Sequence, residues 1–386
     1  MSKWEMFSLK DVCSLITDGT HQTPQYAENG YMFLSSKNVK SGKIDWDEIK
    51  YIPEELHYQL YNRIAPQLGD VLLAKNGTTG VAAVVDRDCV FDIYVSLALL
   101  RPKGVILSEY LLYAINNPIT KRKFNRELKG IGVPNLHLQN IRETTIPVPP
   151  LETQKQIAIT IDTAIELLTM RKQQLTEMDN LIKSTFNDMF GVFATDKNCY
   201  KLLPKICNFI DYRGKTPEKS DCGIPLITAK NVKNNSFSIE PQEYIPAYTY
   251  EAVMTRGFPK INDVIFTTEA PLGNVCRIPD VFDKFAVGQR IIVMQPLENM
   301  VTPEYLEFAL TSDEFQRDMF KRSSGSTVIG IRSKELVQLA IPVPPFILQT
   351  QFAEIVTKIE EQKALVKKAI DETQSLFDSL MSEYFE

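Results

Sequence analysis

The sequence predicts an α+β chain: two tandem mixed α/β lobes joined by two long helices that form an antiparallel coiled coil, with pseudo-two-fold symmetry. Three observations predict it. The chain is written twice, each half ends in a Pro-rich hinge, and each hinge leads into a long segment free of Gly and Pro. The 386 residues, 44% hydrophobic, hold enough apolar mass for more than one core, and at about 150 residues per domain two or three domains are expected.

The duplication is read directly. Ile146-Pro-Val-Pro-Pro-Leu-Glu-Thr-Gln-Lys-Gln-Ile-Ala158 matches Ile341-Pro-Val-Pro-Pro-Phe-Ile-Leu-Gln-Thr-Gln-Phe-Ala353 at eight of thirteen positions, 195 residues apart. Lys37-Asn-Val-Lys40 returns as Lys230-Asn-Val-Lys233, and Tyr51-Ile-Pro53 as Tyr244-Ile-Pro246, both 193 residues apart. Asp18-Gly-Thr-His-Gln-Thr-Pro24 aligns with Asp211-Tyr-Arg-Gly-Lys-Thr-Pro217, and Gly69-Asp-Val71…Gly80 with Asn262-Asp-Val264…Gly273. The offset changes between Gly80 and Tyr110, where two extra residues in a surface loop cost little.

The first lobe is assigned to residues 1–150 and the second to 198–345. Asp70-Val-Leu-Leu-Ala74 and Asp263-Val-Ile-Phe-Thr267 are apolar runs of strand length, each followed by a turn-rich stretch, Lys75–Gly80 or Thr268–Gly273. Val81–Val85 and Ile291–Met294 are further strand candidates, while Tyr110–Ile115 and Tyr305–Leu310 read as helical. The hinges are extended, because each proline fixes φ and removes a donor.

The helices are assigned to 151–190 and 346–386. In the first, Ile161, Leu168, Leu175, Ile182 and Met189 fall seven apart, with Ile157, Ala164 and Met178 between them and Arg171 and Thr185 as interruptions. In the second, Val356, Ile370, Phe377 and Tyr384 hold one seam position and Phe352, Ile359, Val366 and Leu380 the other, interrupted by Lys363 and Thr373. Heptad seams of this kind pair helices. At ~1.5 Å per residue each helix is on the order of 55–60 Å long, and antiparallel pairing places the lobes at opposite ends.

Catalytic signatures are sparse. The sequence lacks GxGxxG, GxxxxGK[ST] and GxSxG, and His21, His57 and His137 lie far apart. The six cysteines form no CxxC pair, so a structural metal is not expected, nor a disulfide framework. Val343-Pro-Pro-Phe346 has the shape of an amino-methyltransferase loop but carries Val where a polar residue is needed, and its double proline repeats as a hinge. The start of the chain lacks an apolar signal core and no run of 18 apolar residues occurs, so a cytoplasmic protein with no membrane partner is expected.

The net charge of −5 hides its distribution. The helices together carry −6 and the lobes +1, with the short link neutral. The acidic faces suit protein, and the balanced lobes leave room for clustered cations at loops. Lys and Arg neutralise phosphate, while Asn, Gln, Thr and Arg read base edges. The DNA-binding candidates of the first lobe are His21, Gln22, Lys37, Asn38, Lys40, Lys75, Asn76 and Thr78. Those of the second are Arg213, Lys215, Lys230, Asn231, Lys233, Thr268, Glu269 and Arg290.

With the duplicated hinge, the two uninterrupted helices and the repeated Lys-Asn-Val and Asp-Val…Gly elements, the chain resembles the specificity (S) subunit of type I restriction–modification enzymes over essentially its whole length. The resemblance implies a non-catalytic subunit in which each lobe is a target recognition domain reading one half of a two-part site in double-stranded DNA. The helix pair would set the unread spacer and dock two methyltransferase (modification) subunits, and restriction–translocase subunits would cut. It implies no cofactor in this chain: S-adenosylmethionine, ATP and Mg would belong to the partners. Because the loops differ between copies (Asn76-Gly-Thr-Thr79 against Glu269-Ala-Pro-Leu272), the halves are expected to read different half-sites.

Two alternatives compete: a catalytically active DNA methyltransferase or nuclease, and a duplicated protein-scaffolding adaptor without a DNA role. On the leading reading, Lys37→Ala and Lys75→Ala weaken binding to all DNA sequences and flatten its salt dependence.

Overall fold

The structure is a computed structural model that describes residues 4–40, 42–128, 135–212, 217–325 and 327–385. It divides into two compact units, Met1–Lys172 with Lys368–Glu386, and Gln173–Lys367. Each unit holds one lobe and part of both long helices, because the ends of those helices join the lobe cores. Ile157, Ile161, Met381 and Phe385 pack with the first lobe, and Ile182, Phe190, Phe352 and Val356 with the second.

The first lobe carries a four-stranded antiparallel sheet in the order Cys13–Asp18, Leu97–Pro102, Val71–Ala74, Ala82–Val84. A three-stranded mixed sheet runs Lys50–Ile52, Tyr31–Leu34, Phe91–Ile93, with its last pair parallel. The second lobe repeats both: Cys207–Asp211, Ile291–Pro296, Val264–Thr268, Leu272–Arg277, then Tyr244–Ile245, Ile224–Ile227, Ala286–Val287. The runs Val71–Ala74, Val264–Thr267 and Ile291–Met294 are buried in central strands of these sheets, while Val81–Val85 supplies the edge strand Ala82–Val84. Tyr110–Ile115 and Tyr305–Leu310 lie inside the helices Ser108–Asn116 and Pro303–Thr311. The repeated Gly80 and Gly273 both sit at positive φ (83° and 88°), where a side chain is disfavoured.

Both hinges are built alike. Thr145–Pro147 pairs with Met6–Ser8, and Ala340–Pro342 with Tyr200–Leu202. The Tyr110 hydroxyl donates to the Pro147 carbonyl at 2.8 Å and the Tyr305 hydroxyl to the Pro342 carbonyl at 2.7 Å. The first glutamine of the repeated motif is fully buried in both copies. Gln154 Nε2 donates to the Pro149 and Val105 carbonyls while its Oε1 accepts from the Leu107 amide. Gln349 does the same with Pro344, Met300 and Thr302. One side chain thus ties hinge, helix and lobe together, so the motif recurs as framework.

The long helices span Leu151–Phe190 and Phe346–Phe385. Within the first unit Arg171 donates to the Ala369 carbonyl and the Thr373 hydroxyl, while Ile157 and Ile161 share a core with Met381 and Phe385. Within the second, Lys363 pairs with Asp179, and the rings of Phe186 and Phe352 lie 5.6 Å apart. In each unit the numbering rises on one helix as it falls on the other, so the pairing is antiparallel. Ile161, Leu168, Ile182 and Val356 are buried, while Leu175, Ile370 and Phe377 are half-buried. The seam interruptions are answered in kind: Arg171 meets Thr373 and Lys363 meets Asp179, an arrangement that fixes register.

Candidate nucleic-acid interface

In the first lobe three predicted loops converge. Asp18 ends the strand Cys13–Asp18, and its carboxylate takes the Lys75 ammonium at 2.5 Å. The Lys75 amide donates to the Ser96 carbonyl, the Ser36 amide to the Ser96 hydroxyl, and the Thr78 hydroxyl to the Ser36 carbonyl. The loops at 18–23, 36–40 and 75–80 therefore form one surface. His21 reaches the Asp18 carboxylate at 3.5 Å with its ring two-thirds exposed, and Gln22 is exposed beside it. Lys37 and Thr78 are exposed and Asn76 half-buried. Lys40 is exposed and bound to Asp45 at 2.8 Å, which raises its pKa.

Three candidates are corrected here. Lys75 is buried, only 4% exposed, with its charge held by Asp18, so it stands away from the surface where phosphate would lie. Asn38 is buried as well. Its Oδ1 accepts from the Ser35 amide and its Nδ2 donates to the Asp45 and Glu48 carbonyls. Asn231 repeats this, accepting from Thr228 and donating to Ser238 and Pro241. Both amides close the same Asx turn and have no face left for a base.

In the second lobe Arg213 and Lys215 lie outside the described residues. Lys230 and Lys233 are exposed, and Lys230 reaches Glu243 at 3.0 Å. The Lys219 and Lys230 ammonium groups hold the Glu243 carboxyl below its ordinary value. Thr268 is another correction, buried with its hydroxyl donating to the Arg290 carbonyl. Glu269 pairs with the half-exposed Arg290 at 3.1 Å. The Asp211 carboxylate accepts from Ser333 where Asp18 takes Lys75. The same framework thus presents different chemistry at its loops.

Two arginines not singled out from sequence stand at one repeat position. Arg63 Nη2 donates to the Asp18 carbonyl at 3.4 Å, and Arg256 Nη1 to the Asp211 carbonyl at 2.6 Å. Their flanks differ (Tyr-Asn-Arg-Ile against Met-Thr-Arg-Gly), but the offset of 193 that holds on either side matches them, and the shared acceptor shows the match in the fold.

No helix among the described residues is long and apolar enough to cross a membrane. A family model described as the type I restriction modification DNA specificity domain matches residues 1–178 and 201–374. The chain is 20% identical to the type I restriction enzyme EcoKI specificity subunit of Escherichia coli K12, over 99% of this chain and 88% of that one. Its fold is similar to that of a crystal structure of the type I restriction–modification S subunit from M. genitalium, with TM-score 0.60 and 16% identity, covering 100% of this chain and 96% of the other. A second solved structure, described as the basis of complex assembly and conformational transition of the type I restriction–modification system, aligns with TM-score 0.58 at 18% identity over 99% of this chain and 97% of that one.

Proposed function

From the premise that the chain belongs to the type I restriction–modification DNA specificity family, matched over most of its length, we propose that its two lobes each read one half of a two-part DNA site. The chain is a non-catalytic DNA-recognition subunit that assembles within a restriction–modification complex. The observation that carries the two-part reading is shared framework with divergent loops. Gln154 and Gln349, Asn38 and Asn231, and Tyr110 and Tyr305 do the same work in both copies. Asn76, by contrast, becomes Glu269, and His21 becomes Gly214. A fold duplicated to bind one repeated ligand has no reason to change the exposed loop residues while keeping the framework side chains that hold those loops.

On this reading two methyltransferase subunits dock on the acidic helices and bring S-adenosylmethionine, while restriction–translocase subunits bring ATP and Mg. The complex works in the cytoplasm, where the DNA is. Mapping methylated adenines in the source genome tests the proposal. A two-part motif that vanishes when this chain is deleted is expected, and an undivided motif overturns it. Methyl transfer by the purified chain alone would overturn the division of labour.

A further inference from the structure

Two lobes built on one framework should differ where they read different bases. Phosphate contacts position a protein without carrying sequence, whereas base contacts specify. At one framework site the lobes can be matched residue by residue. The Lys75 amide donates to the Ser96 carbonyl at 2.8 Å in the first lobe, and the Thr268 amide to the Arg290 carbonyl at 2.9 Å in the second. Sheet register agrees, so Arg290 stands where Ser96 stands, and Glu269 where Asn76 stands. Ser96 is buried, its hydroxyl accepting from the Ser36 amide at 2.9 Å. Arg290 and Glu269 instead form a surface pair, with side chains 53% and 43% exposed.

The pair is held by its backbone. Thr268 is buried and bonds the Arg290 carbonyl through both its amide and its hydroxyl. Its own carbonyl accepts from the Ile331 amide at 3.0 Å, and Glu269 bridges Gly330 as a strand neighbour. The Glu269 carboxylate approaches the guanidinium most closely at Nε, at 3.1 Å. The terminal nitrogens of Arg290 make no hydrogen bond among the described residues. A cleft of about 390 Å³ opens beside the carboxylate, lined by Glu269, Gln289, Val328 and Arg332 among others.

A guanidinium beside a carboxylate is poorly suited to phosphate, because the carboxylate repels a second anion. A base edge is neutral. Guanine offers two acceptors, O6 and N7, in the major groove, which match two N–H donors of one arginine fork. A carboxylate at Nε holds that fork in place, so less side-chain freedom is lost on binding. Resting on the DNA-binding reading above, we infer that the Glu269–Arg290 pair sets the specificity of the second lobe: Arg290 reads a guanine in its half-site and Glu269 positions Arg290. The first lobe, with Asn76 and Ser96 at these positions, reads no guanine by this route.

The test uses the full chain assembled with its modification subunits: wild type, R290A, R290K and E269Q. Mapping methylated adenines fixes the wild-type motif, and fluorescence anisotropy then follows binding to duplexes that carry it. In one series each guanine in turn is replaced by 7-deazaguanine, which lacks the N7 acceptor, and in another each base pair is changed. Wild type is expected to lose roughly tenfold in affinity at the guanine that Arg290 reads. R290A binds the natural duplex roughly 10- to 100-fold more weakly, ignores both changes at that position and discriminates the others as wild type does. R290K keeps a weakened preference for guanine, and E269Q loses discrimination at that base pair alone, neither of which a merely structural role predicts. A wild-type complex insensitive to 7-deazaguanine throughout overturns the assignment, whether or not the variants fold. So does an R290A variant that still discriminates every position, or one that loses target and scrambled duplexes equally, as a phosphate contact would. A wild-type complex that leaves no methylated motif and binds no duplex overturns the DNA-binding reading itself.

Discussion

Asp70 and Asp263 occupy one repeat position and differ in their partners. Asp70 receives a two-pronged bond from Arg101, at 2.9 and 2.8 Å, and accepts from the Gln67 amide. Asp263 accepts from neutral donors, the Lys260 amide and the Gln295 side chain, and burial pushes its carboxyl above the ordinary value. Asp70→Asn removes a charge pair from a buried site and is expected to lower stability by about 2–3 kcal/mol. For Asp263 the sign is reversed. A raised folded pKa means that the folded chain holds the proton more tightly, so this group's contribution is full below the unfolded pKa and lost as pH rises through the folded one. Asp263→Asn should be at least as stable as the parent at pH 7, with the advantage vanishing below about pH 4. Urea titrations at both pH values check the pair. Lys37 and Lys75 also separate. Lys75→Ala takes the closest partner from the buried Asp18 carboxylate and leaves it the longer contacts to His21 and Arg63, and the loss of stability should be about 3 kcal/mol. Lys37→Ala leaves stability unchanged and lowers the salt slope of DNA binding. Melting and binding curves on both variants distinguish these outcomes.

At the scale of elements, the hinge glutamine is the smallest part on which the lobe–helix junction depends. Gln154→Leu leaves the Leu107 amide and the Val105 and Pro149 carbonyls without their partner, at a cost of about 2–4 kcal/mol. Gln349→Leu does the same at Thr302, Met300 and Pro344. Hydrogen exchange should quicken at the Leu107 amide in the first variant and at Thr302 in the second. Wild-type exchange in both would show that the glutamine is not the tie. The hinge and helices were legible because proline and heptad spacing act locally and leave a period in the sequence. The loop residues were less so. Lys-Asn-Val-Lys repeats with its lysines, yet the residue the fold needs twice is the asparagine between them. Lys75 and Thr268 extend buried strands, and nothing local distinguishes a lysine facing Asp18 from one facing water. Arg63 and Arg256 share no flanking motif: the constant offset of 193 matches them, but only the fold shows that both donate to the carbonyl of the strand-ending aspartate.

For the whole molecule, the unlike fastening of the lobes decides how freely they can be exchanged. In the second unit Arg277 bonds Glu304 at 2.9 Å, Glu307 at 2.8 Å and Glu360 of the second long helix. Sheet register puts Val84 where Arg277 stands, since Val71 faces Val84 as Val264 faces Arg277. At the matching positions the first lobe has Val84, Leu112 and Ile165, each partly buried against its core. A chain carrying residues 198–345 in place of 1–150 would therefore set the Arg277 guanidinium against Ile165. The loss of its third partner costs about 1–3 kcal/mol. Ile165→Glu supplies the missing carboxylate and should recover that loss in a thermal melt. With the junction repaired, the methylated motif should consist of two copies of the second lobe's half-site. A motif retaining any part of the original first half would mean that the lobes do not read independently, and that the specificity of each depends on its place in the chain.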